Sequence, residues 1–235
     1  MIRDNLHSVA RQYQYKGGFL VTVSVHNGEK IAQKTMNPRL GIIGGLSILG
    51  TSGIVRPFSC SAWVASIYQG IDVAKANGIK HIGASTGNSS EQVLRKKYKF
   101  SDMALIQMGD FAGAVFKHLK KNPVETLTIC GGFGKMTKLA NGHLDLNSRA
   151  SSIDFNDLAE LAERLGASQM LKEKILKANT SIEALDLCEQ ENIHLANSVC
   201  ERALANARAA VPESVSLEVL AINRQAKVIG QASEF

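Results

Sequence analysis

Aromatic residues are scarce in this chain, at 6% of 235 positions, and its basic residues are not interleaved with them. With no RNP, KH or helix-turn-helix signature either, a nucleic-acid partner is not expected. No apolar run reaches the roughly 18 uninterrupted residues that a membrane span needs. The opening, MIRDNLHSVARQYQ, mixes acids and bases around no apolar centre, which argues against a secretion signal. No membrane partner is therefore expected, and the cytoplasm is the expected compartment. Cysteine is sparse as well: Cys60, Cys130, Cys188 and Cys200 lie far apart and form no CxxC. That spacing disfavours a disulfide framework and a zinc site, and leaves four buried thiols as the expectation. His7, His26, His81, His118 and His194 show no ligand spacing, so no metal site is expected. GxGxxG and GK[ST] are both missing, which removes the dinucleotide fingerprint and the P-loop.

What is present is a chain apolar enough, at 45% hydrophobic residues, to bury a core as one large domain or one plus a fragment. Its net charge of +6 is unevenly distributed. Residues 1–149 hold 19 Lys and Arg against 8 Asp and Glu, a balance of +11, whereas 150–235 hold 8 against 13, a balance of −5. A basic portion of that strength suits an anionic ligand, with a polyanionic small molecule fitting at least as well as nucleic acid. The run Arg95, Lys96, Lys97, Lys99 reads equally as a solvated face.

The densest glycine stretch is NPRLGIIGGLSILGTSGIVRP, Asn37 to Pro57. Leu40 to Ile43 reads as a buried strand opening at Gly44-Gly45 into a loop, where open α/β sheets bind ligands. A tight connection without a ligand is the even alternative. Before it, residues 2–15 predict a helix, and FLVTVSVH, the Asn27-Gly28 turn and EKIAQKT predict a hairpin. After it, a helix from Ser59 or Ser61 to Ala76 leads into three further strand–loop–helix units. In the first, IKHIGAS precedes Thr86-Gly87-Asn88, with Ser89 and Gln92 as a capping box. In the second, strand Met103–Met108 precedes Asp110 as helix cap. In the third, TLTIC runs into Gly131-Gly132-Phe133-Gly134-Lys135. These units imply an α/β fold with a mostly parallel sheet and flanking helices, Rossmann-like. The helix and hairpin of 1–36 precede an α/β domain over 37–235. From Asp154 the pattern turns helical, and SLEVLAINRQAKVIGQAS reads as a terminal strand or hairpin. In between, His143, Asp145, Asn147 and Arg149 alternate, so extended backbone would point them one way.

The strings NPRLGIIGGLSILGTSGIVRP, GNSSE, GDFAGA and GGFGKMTKLANGHLDLNSR, in this order, resemble the cobalt-precorrin-5B C(1)-methyltransferase family. The likeness runs from about Met1 to about Ala167 and is diffuse beyond. It implies transfer of a methyl group from S-adenosyl-L-methionine to C-1 of an anionic cobalt-tetrapyrrole bearing acetate and propionate arms, a partner that matches the basic portion. The alternative is a binding domain that keeps affinity for donor or tetrapyrrole without turnover. Under the resemblance, Gly44, Gly45, Gly50, Thr51 and Gly53, with Thr86, Gly87 and Asn88, are the candidates to hold the donor. Asp110 either binds donor hydroxyls or caps its helix. Lys135, Lys138 and Arg149 are the candidates for substrate carboxylates, and His143 with Asp145 either form the catalytic base or a structural turn. A homo-oligomer is left open. Two departures stand out. The family's alanine-rich, TTG-containing opening is missing, which makes 1–36 the remnant of a preceding domain and Met1 an internal methionine, an expression boundary or a misplaced start. Where relatives commonly carry a histidine, this chain has Asn147.

Overall fold

The computed structural model describes residues 1–47 and 59–235. The chain divides into two compact units, Met1–Cys60 and Ser61–Phe235. No helix among the described residues is long and apolar enough to cross a membrane.

In the first unit, helix α1 (Ile2–Gln12) forms as its apolar spacing predicts, with Met1 and Asp4 bonded across its first turn. The predicted hairpin does not form. Residues 18–25 stay outside any strand, and the stretch read as the returning strand is a short helix, α2 (Gly28–Ala32). Asn27 takes a left-handed conformation, φ 53°, and its carbonyl accepts from the Ile31 amide, so the turn starts a helix instead of a strand pair. The strand expected at Leu40–Ile43 is also absent: Asn37–Leu40 is a 3-10 helix, started by Pro38 and ended by Gly41 at φ 72°. Asn37 then ties the following turn together, donating to the Gly45 carbonyl at 3.0 Å and accepting from the Ser47 hydroxyl at 3.1 Å.

The second unit carries the sheet. Helix α3 (Cys60–Ala76) leads into β1 (His81–Ser85), α4 (Asn88–Tyr98), β2 (Leu105–Gln107), α5 (Ala112–Leu119) and β3 (Thr126–Gly132). There follow α6 (Phe133–Ala140), α7 (Phe155–Arg164), α8 (Gln169–Leu176), α9 (Ser181–Gln190), α10 (Leu195–Ala210), β4 (Ser216–Ile222) and β5 (Val228–Ser233). The sheet order is β2-β1-β3-β4-β5, with the first four strands parallel and β5 antiparallel. The fourth parallel strand is thus the terminal β4, in register with β3 through Leu127↔Leu217 and Ile129↔Val219, and not residues 40–43.

Alternation of side chains separates two cores. Ile82, Ala84, Leu127, Ile129, Leu217 and Val219 face the larger one, shared with α3, α5, α6 and α10. Cys130, Leu220 and Ile222 face a smaller one with Val93 and Leu94 of α4. Cys130, Cys188 and Cys200 are buried as expected, but Cys60 is exposed at the first turn of α3. At Gly230 a Cβ would meet the Ala196 carbonyl oxygen at 2.5 Å, so only glycine lets β5 lie this close to α10.

The face covered by α4 also buries a polar chain. His81 Nε2 and Thr128 Oγ1 are 2.8 Å apart, Thr128 donates to Glu218 at 2.9 Å, and Tyr98 donates to the same carboxylate, which Lys97 approaches at 3.4 Å. Glu218, only 4% exposed, therefore anchors the C-terminal turn of α4. Burial lowers the His81 pKa from its ordinary 6.5 against the opposing pull of Glu218.

Two outcomes follow from this packing. Because His81 binds its proton less readily folded than unfolded, its contribution is complete above pH 6.5 and is lost as pH falls toward the lower folded value. Denaturant melts should show stability declining below that pH, and His81→Gln should flatten the decline. Gly230→Ala should cost about 1–3 kcal/mol in the same melts, since backbone must move to admit the methyl group; an unchanged midpoint would contradict the packing of β5 on α10.

Candidate functional site

The order in which strands are added reverses between β1 and β3: from β1 the chain goes to β2 on one side, and from β3 to β4 on the other. The connections leaving the carboxyl ends of β1 and β3 therefore part to opposite sides, leaving a crevice of the kind that binds ligands in open α/β sheets. A cleft of about 590 Å³ opens there. Its walls are Thr86–Ser90 after β1, Gly132–Lys135 and Lys138 after β3, and Asn223 and Arg224 after β4. Ile153, Ile182 and Ile222 supply apolar surface, and Ser148 completes the rim.

Each wall is fixed locally. The Thr86 amide donates to the Cys130 carbonyl at 3.1 Å, continuing the β1–β3 ladder by one bond. Opposite it Gly131 has no room for a Cβ, which would lie 2.7 Å from both Thr86 Cγ2 and Met136 Cε. The N-cap of helix α4 is Gly87, not Ser89: Ser90 Oγ accepts from the Gly87 amide at 3.1 Å and donates to its carbonyl at 2.8 Å. The glycines after TLTIC do not form a loop. Strand β3 runs through Gly132 and α6 begins at once, so Lys135 and Lys138 fall one helical turn apart on the cleft side. On the third wall, Asn223 Oδ1 accepts from the amides of Gln225 and Lys227 at 3.0 and 2.9 Å, a tight turn that sets Arg224 at the rim.

Asp110 is not a helix cap. Helix α5 has Phe111 at its N-cap, and the Asp110 carboxylate pairs with Lys135 and accepts from Asn147 Nδ2 at 2.9 Å. Lys135 also donates to the Leu146 carbonyl at 3.0 Å, and Lys138 reaches the same oxygen at 3.1 Å. Lys138 is 6% exposed, and its pKa is lowered by burial and then by the charge of Lys135, against Asp110 and Asp145. Asn147 contributes an N–H to Asp110, a bond that an imidazole N–H is also able to make.

Of the residues expected to act together, Thr86, Gly87, Asn88, Lys135 and Lys138 do line one cleft. His143, Asp145 and Arg149 do not line it. Their alternation is broken by two successive turns, Asn147 N to Asp145 Oδ1 at 3.0 Å and Arg149 N to Asn147 Oδ1 at 2.9 Å, so the four side chains do not share one extended face. Gly44, at φ +83°, and Gly45 belong to the first unit, and Gly50, Thr51 and Gly53 lie outside the described residues. Arg224 and Asn223 escaped the sequence reading because their turn carries no motif; only a basic residue following a terminal strand marked them.

Fold and cleft together define an open α/β domain with a cleft at the carboxyl edge of a mostly parallel sheet. Family models described as CbiD and as CbiD, C-terminal domain, match residues 1–57 and 145–233. The chain belongs to the CbiD family. It is 58% identical over 234 residues to a cobalt-precorrin-5B C(1)-methyltransferase of Pseudomonas paraeruginosa, covering 100% of this chain and 64% of that protein. A protein of the same name from a Marinomonas species is 56% identical over 244 residues, covering 99% of this chain and 64% of its own length. This chain thus spans 64% of the length of these curated relatives. A crystal structure of the cobalamin biosynthesis protein cbiD from Archaeoglobus fulgidus shares 30% identity over 57% of this chain and 42% of that one, with a TM-score of 0.24.

The Asp110–Lys135 pair is partly buried, with side chains 24% and 33% exposed, and removing one partner strands the other. Asp110→Ala should therefore lower stability by about 1–2 kcal/mol in denaturant melts. Asn147→His should keep a donor to Asp110 but lose the Oδ1 acceptor of the Arg149 amide, so stability should fall by no more than about 1 kcal/mol; a larger loss would contradict replacement of the Asp110 bond by an imidazole N–H.

Proposed function

We propose that this chain takes part in the methylation of cobalt-precorrin-5B at C-1, with S-adenosylmethionine as donor, as a cytoplasmic step of cobalamin biosynthesis. The observation that carries this reading is 58% identity along 100% of the chain to a protein named for that reaction. The cleft is consistent with it, because a tetrapyrrole bearing acetate and propionate arms is a polyanion and the walls carry Lys135, Lys138 and Arg224. The enzyme's task in such a transfer is to orient the acceptor carbon and exclude water, and a cleft fixed by three strand ends suits that task. Since the chain spans 64% of its relatives, a second reading has support: a binding portion that holds a ligand but does not turn over by itself.

The donor expected from the glycine-rich loops fits this cleft poorly. S-adenosylmethionine carries a sulfonium and an ammonium against one carboxylate, and neither aspartate nor glutamate lines the walls to meet them.

The direct test is to exchange the matching stretch of the Pseudomonas paraeruginosa relative for this chain and to incubate the chimera with S-adenosylmethionine and cobalt-precorrin-5B. A product heavier by one methyl substitution is expected. A folded chimera that adds no methyl group, beside an active parent, would contradict the enzymatic reading. Turnover by the chimera with none by the 235-residue chain would favour the second.

A further inference from the structure

We infer that the cleft at the ends of β1, β3 and β4 receives carboxylate arms of the anionic macrocycle, and that the methyl donor is seated elsewhere. The inference rests on the methyltransferase reading and assigns the ligand of this one site within it.

The charges on the walls decide between the two ligands. Lys135, Lys138 and Arg224 line the cleft, and no acidic side chain does. The carboxylate behind the wall, Asp110, is engaged by Lys135 and Asn147. Lys138 and Lys135 share one neutral acceptor, the Leu146 carbonyl; Lys135 also pairs with Asp110, while Lys138 feels the charges of Asp110 and Asp145. Lys138, buried and beside a like charge, is the group that an incoming carboxylate would most favour. On the other side of the cleft Arg224 is exposed, and its guanidinium makes no hydrogen bond or ion pair among the described residues. Its planar fork matches a carboxylate through two parallel bonds. The rigid turn formed by Asn223 places that fork at the rim.

Apolar surface is present as well. Ile153, Ile182 and Ile222 lie on the same walls, so the site offers basic groups beside a greasy patch. A macrocycle edge flanked by carboxylate arms presents the same combination, and about 590 Å³ admits an edge of it. Within this cleft a net cation such as the donor would meet repulsion from the lysines and no lining acid; Asp186 and Glu189 line only the adjoining pocket that shares Ile182, Asn223 and Arg224.

The test measures equilibrium binding to the full 235-residue chain. Uroporphyrin, a tetrapyrrole with carboxylate arms, is followed by its fluorescence, and S-adenosylmethionine by calorimetry. Uroporphyrin should bind with an affinity that falls as salt rises, and Arg224→Ala and Lys135→Met should each weaken it about tenfold. Because Arg224 is exposed, its variant should keep the parent circular dichroism spectrum. Donor binding, where detected, should be the same in parent and variants, and ATP should not displace uroporphyrin. If the variants weaken donor binding while leaving uroporphyrin untouched, the cleft belongs to the donor and the inference is overturned, with the methyltransferase reading intact. Displacement by ATP would make the cleft a phosphate site and overturn it too. If neither uroporphyrin nor donor binds, both the inference and the methyltransferase reading of this chain fall.

Discussion

The parallel pairing of β3 with β1 on one side and β4 on the other is the constraint on which the second unit depends. It brings three chain segments that are distant in sequence, after Ser85, after Gly132 and after Ile222, to one edge of the sheet. Because the connections leave β1 and β3 in opposite directions, nothing in the ladder closes the space between them. Gly131 allows Thr86 to sit against the end of β3, and Gly230 allows β5 and α10 to back the strand that carries Arg224. The walls of the cleft are thus extensions of hydrogen-bonded strands, which makes their spacing a property of the fold.

Electrostatics then gives the cleft its sign. Helix α6 starts directly from β3, so its first turns carry Lys135 and Lys138 to the wall. Asp110, itself held by Asn147, pairs with Lys135 from behind, and the Leu146 carbonyl accepts from both ammonium groups. No acidic side chain lines the cleft, so Lys135, Lys138 and Arg224 leave its walls basic. On the opposite face of the sheet, Glu218 grips Lys97 and Tyr98 at the far end of α4, whose first residues line the same cleft. The polar chain beneath α4 and the basic cleft are linked by one helix.

The strands β1, β2 and β3 were legible because each is a short apolar run followed by a glycine or polar turn and a helical pattern. Leu40–Ile43 carries the same local signal and yet begins in a 3-10 turn, since Pro38 and the carboxamide of Asn37 organise the chain locally. The apolar alternation in FLVTVSVH was likewise a true signal of strand propensity without a partner; Leu20 is 98% exposed. The cap reading of Asp110 fails because Phe111 is the N-cap of α5 and the carboxylate pairs with Lys135, 25 residues farther on. The alternation of His143, Asp145, Asn147 and Arg149 failed for the opposite reason, as short-range turns formed by Asp145 and Asn147 overrode the extended pattern. The charge distribution marks 1–149 as the basic portion, and Lys135 and Lys138 of that portion line the cleft; Arg224 comes from the acidic portion and reaches it only through the register of β4.

The central claim is that three separate segments form one basic binding cleft at the carboxyl edge of the sheet. Amide hydrogen exchange on the chain, with and without a saturating carboxylate-bearing tetrapyrrole, tests it most directly. Slowed exchange in 86–90, 133–138 and 223–225 together is the predicted result. Slowing confined to one of these segments, or found only on the opposite edge of the sheet, would contradict it.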